Sequence, residues 1–195
     1  FRASETWDPA IVEEAVRLMI SRLSRFDNYL SELAGFTREV KLDLKWWTFT
    51  EEWGGIEQSI IRRVPLDFRV KLHASKNIKC YSDLERVTSV ITALVLNSVE
   101  ACGPSLQPVI NLFVEESIEP RGIKILVEDN GPGFSEEALI EGLTPFFTTK
   151  DAGTGLGLAM IEKYVRAHGG WVKLTNKKTD GKISGAIVEL FFPLP

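Results

Sequence analysis

Val127-Glu128-Asp129-Asn130-Gly131-Pro132-Gly133-Phe134 is the stretch on which the reading of this chain turns. It closes an apolar run at 122–128 with an acid, an amide and two glycines, so Asp129 stands at the end of a predicted strand. The glycines accept positive φ and let backbone approach a flat ligand closely. A carboxylate presented there accepts a hydrogen bond from an exocyclic amine such as the amino group of adenine. Taken alone, Asp-Asn-Gly-Pro-Gly is also an ordinary turn, so the weight falls on its surroundings.

Downstream, Gly153-Thr154-Gly155-Leu156-Gly157-Leu158 runs into the helical periodicity of Leu158, Ile161 and Val165. Glycine N–H groups at a helix N-terminus bind phosphate through oriented donors and the helix dipole. The spacing is neither that of a dinucleotide fold nor that of a P-loop. Upstream, Asn97 lies within Ala93-Leu94-Val95-Leu96-Asn97-Ser98-Val99-Glu100-Ala101, inside a helix predicted from about Ser82 to Ala101. A polar amide in so apolar a helix needs a partner, either inside the core or as an oxygen ligand for Mg²⁺ beside phosphate oxygens and waters.

The rest of the chain sets these motifs in order. Leu66, Phe68, Val70 and Leu72 alternate with Asp67, Arg69 and Lys71, which predicts a half-buried strand. Further strands are expected near 109–115, 122–128, 171–176 and 185–192, and a helix near 156–168. Antiparallel strands with helices on one face make an α+β sandwich. At the other end, Asp8-Pro9, with Glu13 and Glu14 in the expected first turn, signals a helix start. Val12, Val16, Met19, Leu23, Phe26, Leu30 and Leu33 then step alternately by 4 and 3, a heptad seam of the kind that packs in coiled coils and four-helix bundles. Residues 41–65 read as a connector holding a helix over Thr50–Arg63, with a Thr48/Glu51 capping box, a terminating Pro65 and a cluster of Trp46, Trp47 and Trp53.

At 195 residues, with 23 basic and 27 acidic side chains and 44% hydrophobic content, the chain suits one domain with a helical appendage. It is long enough to bury roughly 70% of its unfolded surface without disulfides or metals. Cys80 and Cys102 form no Cys-x-x-Cys and are expected as reduced thiols in a cytoplasmic compartment, a pattern that argues against zinc. The net charge of −4 and the lack of a basic tract argue against nucleic acid. No apolar run reaches the ~18 residues of a membrane helix. The start at Phe1 is read as that of an excised piece, with any membrane attachment supplied upstream.

Asn97 in its Asn-Ser-Val-Glu-Ala setting, Asp129 to Gly133, Pro145-Phe146-Phe147-Thr148-Thr149-Lys150, and Gly153 to Gly157 follow the order of the N, G1, F and G2 boxes. Together they resemble the ATP-binding catalytic domain of sensor histidine kinases, in the superfamily shared with gyrase, MutL and the heat-shock chaperones. The Pro-Phe-Phe-Thr-Thr-Lys form and short lid are similar to the nitrogen-regulation subgroup. The resemblance implies an α+β, two-layer Bergerat-type sandwich over 66–195, joined by the 41–65 connector to a segment, 1–40, that looks like the second helix of a dimerisation and phosphotransfer hairpin. It implies ATP and Mg²⁺ as ligands, with Asp129 on adenine and Asn97 on the metal. Gly131 and Gly133 would line the nucleotide, and Gly153, Thr154, Gly155, Leu156 and Gly157 would cradle its phosphates. Residues 134–152 would form a lid carrying Thr148, Thr149 and Lys150 to the phosphates.

The expected activity is transfer of the ATP γ-phosphoryl to a histidine outside this chain, then to an aspartate of a response regulator receiver domain, within a homodimeric parent protein. A serine kinase of the anti-sigma or mitochondrial dehydrogenase kinase type, or a nucleotide-sensing module without catalysis, uses the same pocket. Two departures stand out. The superfamily's ATP hydrolases carry a glutamate, and many histidine kinases a second asparagine, one turn before the magnesium asparagine; here that residue is Ala93. The acceptor motif, a histidine followed by an acid and a proline, is absent: His73 sits in a predicted strand and His168 at a helix end, where it is expected as a capping cation. Glu100 is expected to pair locally on its helix.

Overall fold

The computed structural model describes residues 8–64, 67–75, 77–103, 106–150 and 153–195. Pro65 and Leu66, expected as helix terminator and strand start, fall outside them. The chain divides into two compact units, one ending at residue 39 and one running from residue 40 to the C-terminus.

Among its described residues, the first unit holds one helix, α1 (Pro9–Thr37). Asp8 is its N-cap, accepting from the Ala10 N–H at 2.9 Å, and Pro9 occupies the first turn, where a missing N–H costs nothing. Because the helix begins at Pro9, Glu13 and Glu14 fall in the second turn rather than the first, and Glu13 pairs with Arg17 at 3.1 Å. The seam residues Val16, Leu23 and Leu30 are exposed, as are Ile11, Leu18 and Ile20 off the strict seam, so the apolar band is broader than the heptad alone.

The second unit opens with β1 (Lys45–Thr48) and α2 (Phe49–Arg63), then β2 (Arg69–Ala74), β3 (Lys79–Ser82) and α3 (Leu84–Cys102). It continues through β4 (Val109–Ser117), β5 (Gly122–Glu128), α4 (Glu136–Glu141), α5 (Gly157–Ala167), β6 (Trp171–Thr179) and β7 (Lys182–Pro193). The main sheet has the order β2-β4-β5-β7-β6, and β1 pairs with β3 in a small antiparallel sheet. The β2–β4 pair is parallel, correcting the expectation of an antiparallel sheet. Between those two strands the chain makes β3 and α3, the helix-length crossover that parallel pairing requires.

The connector, with its expected helix now at Phe49–Arg63, is part of the second unit. Trp47 donates its indole N–H to Ser82 Oγ at 3.0 Å, and Trp47, Phe49 and Trp53 pack in sequence with centroids 5.6 and 6.4 Å apart. Phe49 is fully buried. Thr48 is the N-cap of α2 but makes no side-chain cap bond, so the Thr48/Glu51 capping box does not form; the Phe49 N–H instead bonds the Ile78 carbonyl at 2.9 Å.

One face of the main sheet (Ile110, Leu112, Val114, Ile123, Ile125, Val127, Leu190) packs under Val87, Val90, Ile91, Leu94 and Val95 of α3 and Ile161 and Val165 of α5, in one continuous core. α3 is therefore the central helix of the layer, and its start is fixed by Asp83. Burial alone would raise the Asp83 carboxyl, but N–H bonds from Asp43 and Arg86, both at 3.0 Å, and the charge of Arg86 hold it below the ordinary carboxylate range. A carboxylate so depressed adds stability at neutral pH, and that contribution disappears as acid protonates it in the folded protein. Urea unfolding from pH 7 down to about 2.5 should therefore lose stability below about pH 4, the unfolded Asp value. Asp83→Asn, which still caps, should flatten that loss.

Candidate nucleotide-binding site

Asp129 follows the last residue of β5, where the ladder to β7 ends. Its backbone N–H donates to the Ala186 carbonyl at 3.0 Å, and its Oδ1 accepts from the N–H groups of Ala186 and Gly131, both at 2.9 Å. The side chain is thus locked although only 6% exposed. Its second oxygen takes no hydrogen bond from a described residue, yet among the described residues no buried side-chain N or O lacks a partner, so Oδ2 reaches the surface. This is the geometry of a carboxylate held by one oxygen and offered by the other.

Gly131 completes the turn, with Cys102 from the end of α3 against it. Burial first, then the Asp129 charge, push the Cys102 thiol up, so it stays a neutral thiol, donating weakly to Asn130 Oδ1 at 3.5 Å. Asn130 also accepts from Val109 N–H at 2.9 Å and donates to the Gln107 carbonyl at 3.1 Å, tying the approach to β4 to the loop. Gly133 (φ +78°) is followed by Phe134, whose N–H and carbonyl both bond the side chain of Asn176.

On α3, Asn97 is half-buried and its side chain makes no hydrogen bond to a described residue. Its amide therefore faces open space rather than a core partner. A Cβ on Gly157 would lie 3.8 Å from its Nδ2, so Asn97 and the start of α5 are neighbours. α5 begins after Leu156, which is buried and supplies no side-chain cap; Met160 N–H makes the first intrahelical bond, to Leu156 O at 2.8 Å. The N–H groups before it are the orphan donors on which a phosphate binds.

Gly155 (φ +69°) packs its Cα on the backbone of Phe146, which itself has φ +71° and donates its N–H to the Gly155 carbonyl at 2.9 Å. The Pro145–Lys150 segment is thereby pinned to the glycine turn. Thr154 Oγ1 accepts from the Leu156 N–H at 3.3 Å. Thr148 turns inward on its own segment, with Oγ1 accepting from the Lys150 N–H at 3.1 Å, and Gly153 closes over it. Thr149 is exposed. Lys150 Nζ sits 2.6 Å from Glu100 Oε2, one turn beyond Asn97, so Glu100 pairs across 50 residues and not along its own helix.

The structure thus gathers Asn97, Lys150, Gly155 and Gly157 at one end of α3 and α5. Asp129, Gly131 and Gly133 lie at the loop beside the end of α3, while Thr148 and Thr149 are turned to their own segment and to solvent. Asn130, Asn176 and Gly185 escaped the sequence reading; Gly185 has a detectable signal, a glycine inside an apolar strand, because a Cβ there would overlap the Asp129 carbonyl. His168 is the C-cap of α5, as expected, though not as a cation. Its Nε2 accepts from the Asp83 N–H at 3.1 Å, so the ring is neutral, with its proton on Nδ1 donated to Tyr164 O at 2.7 Å. No group of three or more His, Cys, Asp or Glu among the described residues can hold a metal, and no described helix is long and apolar enough to cross a membrane. A divalent ion here would rest on Asn97 together with oxygens of its ligand.

Residues 82–195 match the family described as histidine kinase-, DNA gyrase B-, and HSP90-like ATPase. The sensor histidine kinase ZraS of Salmonella typhimurium is 31% identical over 186 residues, covering 93% of this chain and 38% of that protein. The C4-dicarboxylate transport sensor protein DctB of Pseudomonas aeruginosa is 37% identical over 100 residues, 50% of this chain and 16% of that protein. The chain thus spans well under half of the curated relatives it matches. Among solved structures, the catalytic domain of histidine kinase ThkA aligns with a TM-score of 0.65 at 23% identity, over 77% of this chain and 95% of that one. ThkA in complex with the response regulator protein TrrA aligns at 0.71 and 23%, over 97% and 53%. Both show the same fold.

Gly155→Ala would force φ +69° on a residue with a Cβ and push that Cβ into the Phe146 backbone. The left-handed strain alone costs about 1–2 kcal/mol. Chemical denaturation should show at least that loss, whereas alanine at Gly54, where a Cβ meets nothing within 4 Å, should not destabilise its helix.

Proposed function

The chain belongs to the histidine kinase-, DNA gyrase B-, and HSP90-like ATPase family, and on that premise we propose that it is the Mg·ATP-binding catalytic segment of a two-component sensor histidine kinase. One observation carries the reading: a buried strand-end carboxylate, Asp129, with one oxygen locked and one offered, beside the same helix that presents Asn97 to the uncapped start of α5. In this reading Oδ2 of Asp129 receives the adenine amino group, and Gly131 and Gly133 leave room for the ring. The N–H groups at Gly157 receive phosphate, and Asn97 supplies an amide oxygen to Mg²⁺. Lys150, now on Glu100, is the lid cation within reach of the phosphate end.

Bound Mg·ATP supplies the phosphoryl group; the residues of this chain bind it, orient it and neutralise its charge, which is most of what phosphoryl transfer asks of a protein. Ala93 places no carboxylate one turn before Asn97, so the pocket offers no base to water there. That suits a kinase which hands its phosphoryl group to a histidine. Neither histidine of this chain is suited to receive it: His73 is stacked on Phe113 at 4.6 Å within the sheet, and His168 bonds through both ring nitrogens. The acceptor in this proposal lies outside the chain, and the next acceptor is an aspartate of a receiver domain, as the likeness to the ThkA–TrrA complex suggests. The exposed band of α1 supports pairing with a second copy in a homodimeric, cytoplasmic kinase core. The Pro145–Lys150 form supports the nitrogen-regulation subgroup.

Titration calorimetry should give Mg·ATP binding that falls by about one to two decades in Asp129→Asn, from ~1.5–3 kcal/mol for a lost charged hydrogen bond. Equal affinities would remove Asp129 from the site. Incubated alone with Mg·ATP, the chain should gain no acid-labile, base-stable phosphate, whereas phosphate on His73 or His168 would overturn the assignment of an external acceptor.

A further inference from the structure

We propose that Asn176 is a positioning residue for the nucleotide site, holding the exit of the Asp129–Phe134 loop as Ala186 holds its entry; this rests on the proposed ATP reading. Asn176 of β6 and Ala186 of β7 are directly paired in the hairpin ladder. Ala186 grips Asp129 through two bonds, one to its backbone N–H and one to its carboxylate. Asn176 grips Phe134 through two more, with Oδ1 accepting from the Phe134 N–H at 2.7 Å and Nδ2 donating to the Phe134 carbonyl at 2.8 Å. One rung of the β6–β7 ladder therefore spans the whole loop and fixes both of its ends.

The chemistry selects asparagine. Phe134 presents one donor and one acceptor outside any strand, and a primary amide is the short side chain that answers both at once. Between the two grips the loop lies on β7 without clearance: a Cβ on Gly185 would overlap the Asp129 carbonyl, and one on Gly133 would come within 2.8 Å of Asn176 Oδ1. Releasing Phe134 frees Gly133, which at φ +78° has no strong conformational preference of its own, and with it the turn from Gly131, whose N–H holds Asp129 Oδ1. The ladder shifts register between Lys177 and Lys178, just beyond the clamp, and Lys177 pairs with Glu128 at 2.7 Å behind the loop.

The test uses the full chain and Mg·ATP calorimetry at pH 7.5 on wild type, Asn176→Ala, Asn176→Asp and Asp129→Asn, with melting curves for each. Asn176→Ala should weaken ATP by about 5–10-fold in protein that is still folded, the scale of one lost net hydrogen-bond pair. Asn176→Asp should show a similar loss at pH 7.5, where a carboxylate faces the Phe134 carbonyl. A purely structural role would lower melting temperature and leave the affinity of folded protein unchanged. Wild-type affinity in either variant, measured on folded protein, overturns the proposal; should Asn176→Ala not fold, Asn176→Asp alone decides. Loss in Asp129→Asn with no effect at Asn176 removes this inference and leaves the ATP reading standing, whereas no ATP binding by wild type removes both.

Discussion

The bond from the Ala186 N–H to Asp129 Oδ1 is the constraint on which the site depends. A carboxylate at a strand end would ordinarily turn to water, since burying it unpaired is costly. Here β7 continues past the end of its partner β5 and offers a backbone donor at the position where the ladder stops, and Gly131 supplies the second. Two N–H groups on one oxygen satisfy it without a counter-ion and fix which oxygen is left to face a ligand. The glycines follow from this arrangement: Gly185 has to be bare for β7 to pass beneath the Asp129 carbonyl, and a Cβ on Gly131 would crowd Oδ1 at 3.2 Å.

α3 transmits that placement to the other half of the site. Its buried face is the centre of the core, its start is set by Asp83, and its last turns carry Asn97, Glu100 and Cys102 past the glycine turn, the lid and the Asp129 loop in that order. An apolar helix with one amide turned away from the core is a rigid ruler between the proposed adenine and phosphate ends. The absence of a carboxylate at Ala93 removes from that ruler the group that would activate water, so its chemistry is confined to holding and orienting.

What the sequence revealed was local. The Asp8-Pro9 start, the strand at 122–128 and the glycine turn before α5 are each written within a few residues, and the structure has all three. What it concealed was pairing at a distance. β1 and β3 are four-residue strands that exist only because they pair with each other, and β2 runs parallel to β4 because α3 intervenes. Asn176 looks like a polar residue in a half-exposed strand, and nothing near it in sequence announces Phe134, 42 residues earlier. Glu100 was assigned a local partner by helix spacing and found one on the lid instead, because its neighbour across α3 is set by the fold. Thr48 failed as a capping side chain because strand β3's approach already gave α2 a backbone partner at Ile78.

The central claim is that Asp129, Asn97 and the start of α5 receive one ligand together. Titrating Mg·ATP into ¹⁵N-labelled chain and following the Gly131 amide, the Asn97 side-chain NH₂ and the amides of Gly157, Leu158 and Ala159 measures that directly. The account predicts that these signals move along one saturation curve. Movement confined elsewhere, for instance to the cavity of about 480 Å³ lined by Ile60, Phe68, Arg69 and Val70 between α2 and β2, would contradict it.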